Sequence, residues 1–322
     1  MQSLRVRVNG GEEVAVPAEQ AGTVGGPIKT LLVATKAHDI ALALASVASR
    51  LDHGAPSSVI LLSDGAMATA KDLQLPRTTS LLVATTTHGA WLDDFPGTQT
   101  DTTRHVRHSG DGSTWVGPIP KGESGHNAPL VEDAAVTAML SSAMGSVGAM
   151  GAERLAAARQ RRLTKHAREF ASAAMIAGLG GVVEEREATE RRLWLKLAVN
   201  SVINPLSAMW RVRNGTVLQR AEGRHLAREA ISEIAALALA LAARGQSRAA
   251  PSSGELFAFV AKAAVQSADH FSSMHADMRR GRLTEVDCFN GWVVARAHEL
   301  NLTCVHNEYL AQSVKDAQNR VL

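Results

Sequence analysis

Cysteine is nearly absent from this chain of 322 residues: Cys288 and Cys304 are the only two. Both lie near the C-terminus, so no disulfide framework and no zinc-type spacing is available, and a reducing, cytoplasmic location is the expectation. Long apolar runs are also missing. The Ile234–Ala243 stretch is the nearest approach to one and falls short of the roughly 18–20 residues a membrane span needs. Residues 1–8 alternate like a strand and contain no apolar core of a secretory signal. The basic segment Arg154–Arg168 lacks interleaved aromatics, and reads as a solvated helix face with no nucleic-acid partner. A glycine-rich turn joining a strand to a helix, the usual cradle for a dinucleotide phosphate, is not found either. Gly22-Thr23-Val24-Gly25-Gly26 runs into Pro27 and then a strand.

The content that is present suffices for two ordinary domains: 45% of residues are apolar and the net charge is only +3. Arg5–Val8 and Glu13–Val16 flank an Asn-Gly turn and predict a hairpin. Thr30–Thr35, Ser58–Leu62 and Ser80–Thr85 read as short buried strands, with a helix over Asp39–Leu51 between the first two. That alternation predicts a parallel sheet covered on both faces. Residues 121–165 shift to Ala, Gly, Ser and Arg and read as an insertion. A helix at Phe170–Ala177 and a strand at Gly181–Val183 follow. Beyond Glu184 the pattern predicts helices alone, at 186–212, 223–245, 253–270, 284–300 and 306–319.

One run carries chemistry. In Trp194–Ala208, Lys196, Asn200 and Asn204 recur every fourth residue and share one helical face inside an otherwise apolar segment. A lysine flanked by amides in such surroundings costs free energy unless its charge is paired or used. Trp194 and Trp210 on the same helix are core. His88, at a strand end, is structural, and Asn290-Gly291 is a close-packing position.

Several blocks then resemble the ketopantoate reductase family. They are TLLVATKAHD at Thr30–Asp39, Ser63-Asp64-Gly65-Ala66-Met67, Thr85-Thr86-Thr87-His88-Gly89-Ala90, Trp194–Ala208 with Asn214-Gly215, Ser272-Ser273-Met274 with Asp277, and Thr284–Gly291. The resemblance implies an α/β fold: an incomplete Rossmann-type domain over 1–183, then an all-α domain over 184–322 like the C-terminal domain of 6-phosphogluconate dehydrogenase. It implies NADPH-dependent reduction of ketopantoate to pantoate in pantothenate biosynthesis, with substrate in the cleft between domains. Lys196 is then the general acid, and Glu285 the carboxylate that holds and tunes it while meeting the cofactor. Asn200, Asn204, Asn214 and Ser273 bind substrate; Lys36 and Asp64 contact cofactor. No metal is implied, the partner is a small 2-oxo acid, and the chain is a monomer or homodimer.

The family's first 30–40 residues, with its phosphate turn and central strand, have no counterpart here. Two expectations follow: a chain that begins after that segment, or a non-catalytic binding protein of the same fold that no longer holds NADPH. Asp64 stands where the family has asparagine, and an acid there would repel the substrate carboxylate unless it pairs with Lys196 or a neighbouring base; His270 replaces another asparagine.

Overall fold

The computed structural model describes residues 2–8, 13–18, 26–51, 57–73, 75–76, 79–92, 105–110, 112–119, 161 and 163–320. The Asn-Gly turn of the hairpin and nearly all of the expected insertion lie outside them.

Strands β1 (Gln2–Val8) and β2 (Glu13–Ala18) pair antiparallel, as the sequence predicts. They join β6 (Gly89–Leu92) and β7 (His105–Gly110) in a four-stranded sheet of order β2-β1-β7-β6. The main sheet contains β3 (Thr30–Val33), β4 (Ser57–Leu62), β5 (Thr79–Thr86), β8 (Thr114–Pro118) and β9 (Gly181–Val183), in that order. β3, β4 and β5 run parallel, β8 antiparallel to β5, and β9 parallel to β8. The pleat explains the apolar runs in β4 and β5: Val59, Leu61, Leu81 and Val83 face one core, while Ile60, Leu82 and Ala84 face another. Among the described residues β3 is an edge strand, and its Leu32 is 46% exposed.

The expected helix over Asp39–Leu51 is broken. A 3-10 turn at Ala37–Asp39 leads into α1 (Ile40–Ala45), and α2 (Ala48–Leu51) follows after Ser46-Val47. Ser46 Oγ donates back to Ala43 O at 2.7 Å, a side-chain bond that competes with the helical ladder. α3 (Ala66–Thr69) follows β4, and α4, over residues 163–176, covers the second face of the sheet through Ala167 and Ala171.

From Arg186 on, the described residues contain no strand, as expected. α5 (Arg186–Trp210) is the axis of the helical domain, buried on nearly all sides from Leu193 to Ala208. Around it lie α6 (Asn214–Val217), α7 (Ala221–Ala243), α8 (Ser253–Gln266), α9 (Ser273–Arg279), α10 (Asn290–Glu299) and α11 (Val305–Asn319). Pro205 lies inside α5 and has no N–H to offer Ser201 O one turn earlier. Asn290 Nδ2 donates to that carbonyl at 2.8 Å instead, and to Asn307 Oδ1 at 3.0 Å. Asn290 is therefore a packing residue, and Trp194, 1% exposed, is core, both as the sequence suggested.

Candidate active site

The three parallel strands end side by side, and each carboxyl end delivers one group to the cleft against α5. Lys36 follows β3, Asp64 follows β4, and Thr86 ends β5. Open α/β sheets bind ligands at this place, beyond the carboxyl ends of their strands.

From the opposite wall, α5 presents Lys196, Asn200 and Asn204 along one face. Lys196 Nζ lies 2.5 Å from Asp64 Oδ1 and donates to Thr86 O at 3.0 Å. Asn200 Nδ2 donates to Asp64 Oδ2 at 3.4 Å, and Asn204 Nδ2 donates to Asn200 Oδ1 at 3.2 Å. The amides thus form a relay that orients Asn200 toward the Asp64 carboxylate. Although 41% of the Asp64 side chain is exposed, its carboxylate is hemmed in by the cleft. That desolvation is the largest influence and pushes its pKa up. The charge and hydrogen bond of Lys196, the Asn200 amide and the Lys36 charge together outweigh it and hold the carboxyl below its ordinary value.

A second ion cluster joins the two walls. Lys36 Nζ donates to Asp277 Oδ2 at 2.7 Å and to Glu285 Oε2 at 2.9 Å, and Ala37 N–H donates to Glu285 Oε1 at 2.8 Å. Desolvation is again the largest influence and favours the neutral amine, but the Glu285 charge and the bonds to both carboxylates raise the Lys36 pKa above the ordinary lysine value. The sequence reading set Glu285 against Lys196. The structure instead places Glu285 on Lys36 and the Ala37 N–H, while Asp64 pairs with Lys196, as the sequence allowed. Asp277, quoted in a motif without a role, is the partner the sequence reading missed, because its contact spans 241 positions. Gly65 lets the walls close: a Cβ there would sit 2.4 Å from Ala37 Cβ and 3.0 Å from Cys288 Cβ.

The remaining expected site residues are set further along. Ser273 is exposed at the start of α9. Its neighbour Ser272 caps that helix by accepting from His275 N–H at 3.1 Å, and donates to Asn204 O at 3.3 Å. Asn214 is buried, its Nδ2 bound to Ser267 Oγ at 3.1 Å and its N–H to His270 O at 2.9 Å, while its Oδ1 has no partner among the described residues. His88 Nε2 lies 2.8 Å from Leu179 O, consistent with a structural role. No group of three potential metal ligands occurs among the described residues.

The cleft offers an ammonium, amides and a strand-end carbonyl within reach of one another, a set of groups whose chemistry suits the reacting end of a nicotinamide dinucleotide. Among the described residues, two of the polar groups that follow β3 are already paired. Lys36 is committed to two carboxylates, and the Ala37 N–H at the start of the following 3-10 turn is taken by Glu285.

A Rossmann-like sheet joined to a helical domain, with a lysine and two amides facing the strand ends, defines a two-domain class. Residues 2–121 match the family described as ketopantoate reductase PanE/ApbA, and residues 188–318 match its C-terminal part. The chain belongs to the ketopantoate reductase family. The 2-dehydropantoate 2-reductase of Archaeoglobus fulgidus is 33% identical over 130 residues, which is 40% of this chain and 41% of that protein. The match therefore takes in about two-fifths of that relative's length. A D-mandelate dehydrogenase solved with NADH and anilino(oxo)acetate superposes with a TM-score of 0.67 at 17% identity, covering 99% of this chain and 85% of its own. A probable 2-dehydropantoate 2-reductase from Bacillus subtilis superposes with a TM-score of 0.62 at 22% identity, covering 98% and 85%. At such identities these two likenesses speak for the fold.

Proposed function

We propose that the chain carries the substrate-binding and proton-donating machinery of a reductase acting on 2-dehydropantoate or a closely related 2-oxo compound, with NADPH as reductant. The observation that carries this reading is Lys196, held between Asp64 and the Thr86 carbonyl at the strand ends. The cofactor, when bound, supplies a hydride to the carbonyl carbon. Negative charge then builds on the carbonyl oxygen, and an ammonium aimed there lowers the barrier, with proton donation worth about 10²–10⁴-fold. Lys196 Nζ has the third of its protons for this after its two observed partners. Asn200 and Asn204 fix the geometry on the lysine's face, and Asn214 and Ser273 supply further polar groups toward the substrate. Lys36, Asp277 and Glu285 clamp the two walls together.

A second reading, a binding protein of this family without catalysis, is favoured by one observation: Lys36 is closed off by Asp277 and Glu285. Titration of NADPH fluorescence separates the two. Enhancement on adding the chain, reversed by NADP⁺, supports the reductase. No change in fluorescence at saturating protein overturns it in favour of the binding protein.

A further inference from the structure

The charge balance of the cleft bears on what the substrate can carry. Two lysines and three carboxylates meet there: Lys36 and Lys196 against Asp64, Asp277 and Glu285. With all five ionised this cluster totals −1. Each lysine is already within 3 Å of a carboxylate oxygen, so neither presents an unshared positive charge to an incoming anion. A 2-oxo acid holds its carboxylate on the atom next to the reacting carbonyl. If the carbonyl oxygen approaches Lys196, that carboxylate must come close to the Asp64 carboxylate, only 2.5 Å from the same ammonium. Like charges in a partly desolvated cleft repel, so the acid would take the remaining N–H of Lys196 against the charge of Asp64, whereas an uncharged carbonyl compound would not.

The residues just before these charged and strand-end groups carry no charge of their own. Thr35, Ser63 and Thr85 immediately precede Lys36, Asp64 and Thr86. Each has a buried hydroxyl with no partner among the described residues.

We propose that Asp64 is a specificity-determining residue that makes this cleft select an uncharged carbonyl compound, one whose carboxyl is absent or esterified, over the corresponding 2-oxo acid anion. This rests on the carbonyl-reductase reading and names the charge class of its substrate. Asp64 pairs with Lys196 and at the same time disfavours an anion beside it.

The test is equilibrium binding, by calorimetry or NMR titration, of a matched pair: 2-dehydropantoate and its lactone, in which the carboxylate is esterified to the compound's own hydroxyl. Wild-type chain is expected to bind the lactone at least about 10-fold more tightly than the acid. Asp64→Asn keeps the shape and removes the charge, and should tighten acid binding at least about 10-fold while moving the lactone by less than about 3-fold. A second measurement needs no variant: added salt screens repulsion, so acid binding to wild type should tighten as salt rises, the reverse of an attractive ion contact. Acid binding that is unchanged in Asp64→Asn, or that weakens with salt in wild type, overturns the role of Asp64 and leaves the reductase reading standing. Failure of both ligands to bind either protein overturns both.

Discussion

Lys196 of the helical domain and Asp64 of the strand-bearing part are joined by an ion contact of 2.5 Å, the point at which the middle of α5 meets the carboxyl end of β4. The lysine is thereby pointed at the strand ends, where it also donates to Thr86 O. The Lys36 cluster repeats the arrangement one strand over, with the lysine on the sheet side and the carboxylates on the helical side. The two contacts cross the cleft in opposite senses, and each has its own consequence.

Removing the Lys36 charge leaves Asp277 and Glu285, 6% and 7% exposed, facing each other without a cation. Breaking a fully buried pair costs about 3–5 kcal/mol, but Lys36 is 38% exposed, so Lys36→Met should cost about 2 kcal/mol. Adding Glu285→Gln should recover part of the loss. Urea denaturation of the single and double variants checks this, and a double variant weaker by the sum of both single losses would contradict it.

Asn290 stands in for the N–H that Pro205 lacks. Asn290→Ala strands the buried Ser201 carbonyl and Asn307 Oδ1 together, and should cost about 2–4 kcal/mol. Thermal and chemical denaturation measure it. A loss below about 0.5 kcal/mol would show that water or a neighbour satisfies the carbonyl.

Gly65→Ala puts a methyl group against Ala37 and Cys288 where there is no room. Overpacking of this kind costs about 1–3 kcal/mol, and here it should also draw Asp64 away from Lys196. Stability of the variant by urea denaturation is the readout. Unchanged stability would mean that the two walls are not held this close in solution.

Glu233 on α7 caps the start of α11, accepting from His306 N–H at 2.8 Å, Asn307 N–H at 2.9 Å and Asn307 Nδ2 at 2.7 Å. Desolvation, the largest influence, pushes its pKa up, but these bonds together hold it below the ordinary value of 4.5. With the folded pKa below the unfolded one, falling pH protonates the unfolded chain first. Its contribution is therefore present in full above about pH 4.5–5 and lost as pH drops through the folded pKa. Glu233→Gln should cost about 1–3 kcal/mol at neutral pH and flatten stability against pH in the acid range. An equally steep acid limb in the variant would assign that limb to other carboxylates.

Much of this was readable in the chain itself. The recurrence of Lys196, Asn200 and Asn204 at every fourth residue marked the face of α5 that meets the strand ends, and the apolar runs of β3, β4 and β5 marked the sheet. The strands β6, β7 and β8 escaped notice, since sequences such as His105–Gly110 (HVRHSG) lack the apolar alternation of a half-buried strand. The helix expected over 284–300 begins only at Asn290, because Glu285 is drawn to Lys36 and Ala37 and the turn at Val286–Cys288 precedes it. The expected helix at 253–270 stops at Gln266, where Ser267 Oγ turns back to Ala263 O. Helix α9, only seven residues long and set by the Ser272 cap, offered too few turns for a periodicity to register. Which carboxylate meets which lysine is a tertiary fact, decided by contacts more than a hundred residues apart.

Lys196 is proposed to give a proton to the substrate oxygen as NADPH delivers hydride to the carbonyl carbon. The most direct measurement is single-turnover oxidation of NADPH, followed by nicotinamide absorbance, with 2-dehydropantoate and with its lactone, for wild type and Lys196→Ala. The account predicts oxidation by wild type and a loss of about 10²–10⁴-fold in Lys196→Ala, with NADPH binding retained. Equal rates in the two proteins, or no oxidation by wild type at saturating NADPH and substrate, would contradict it.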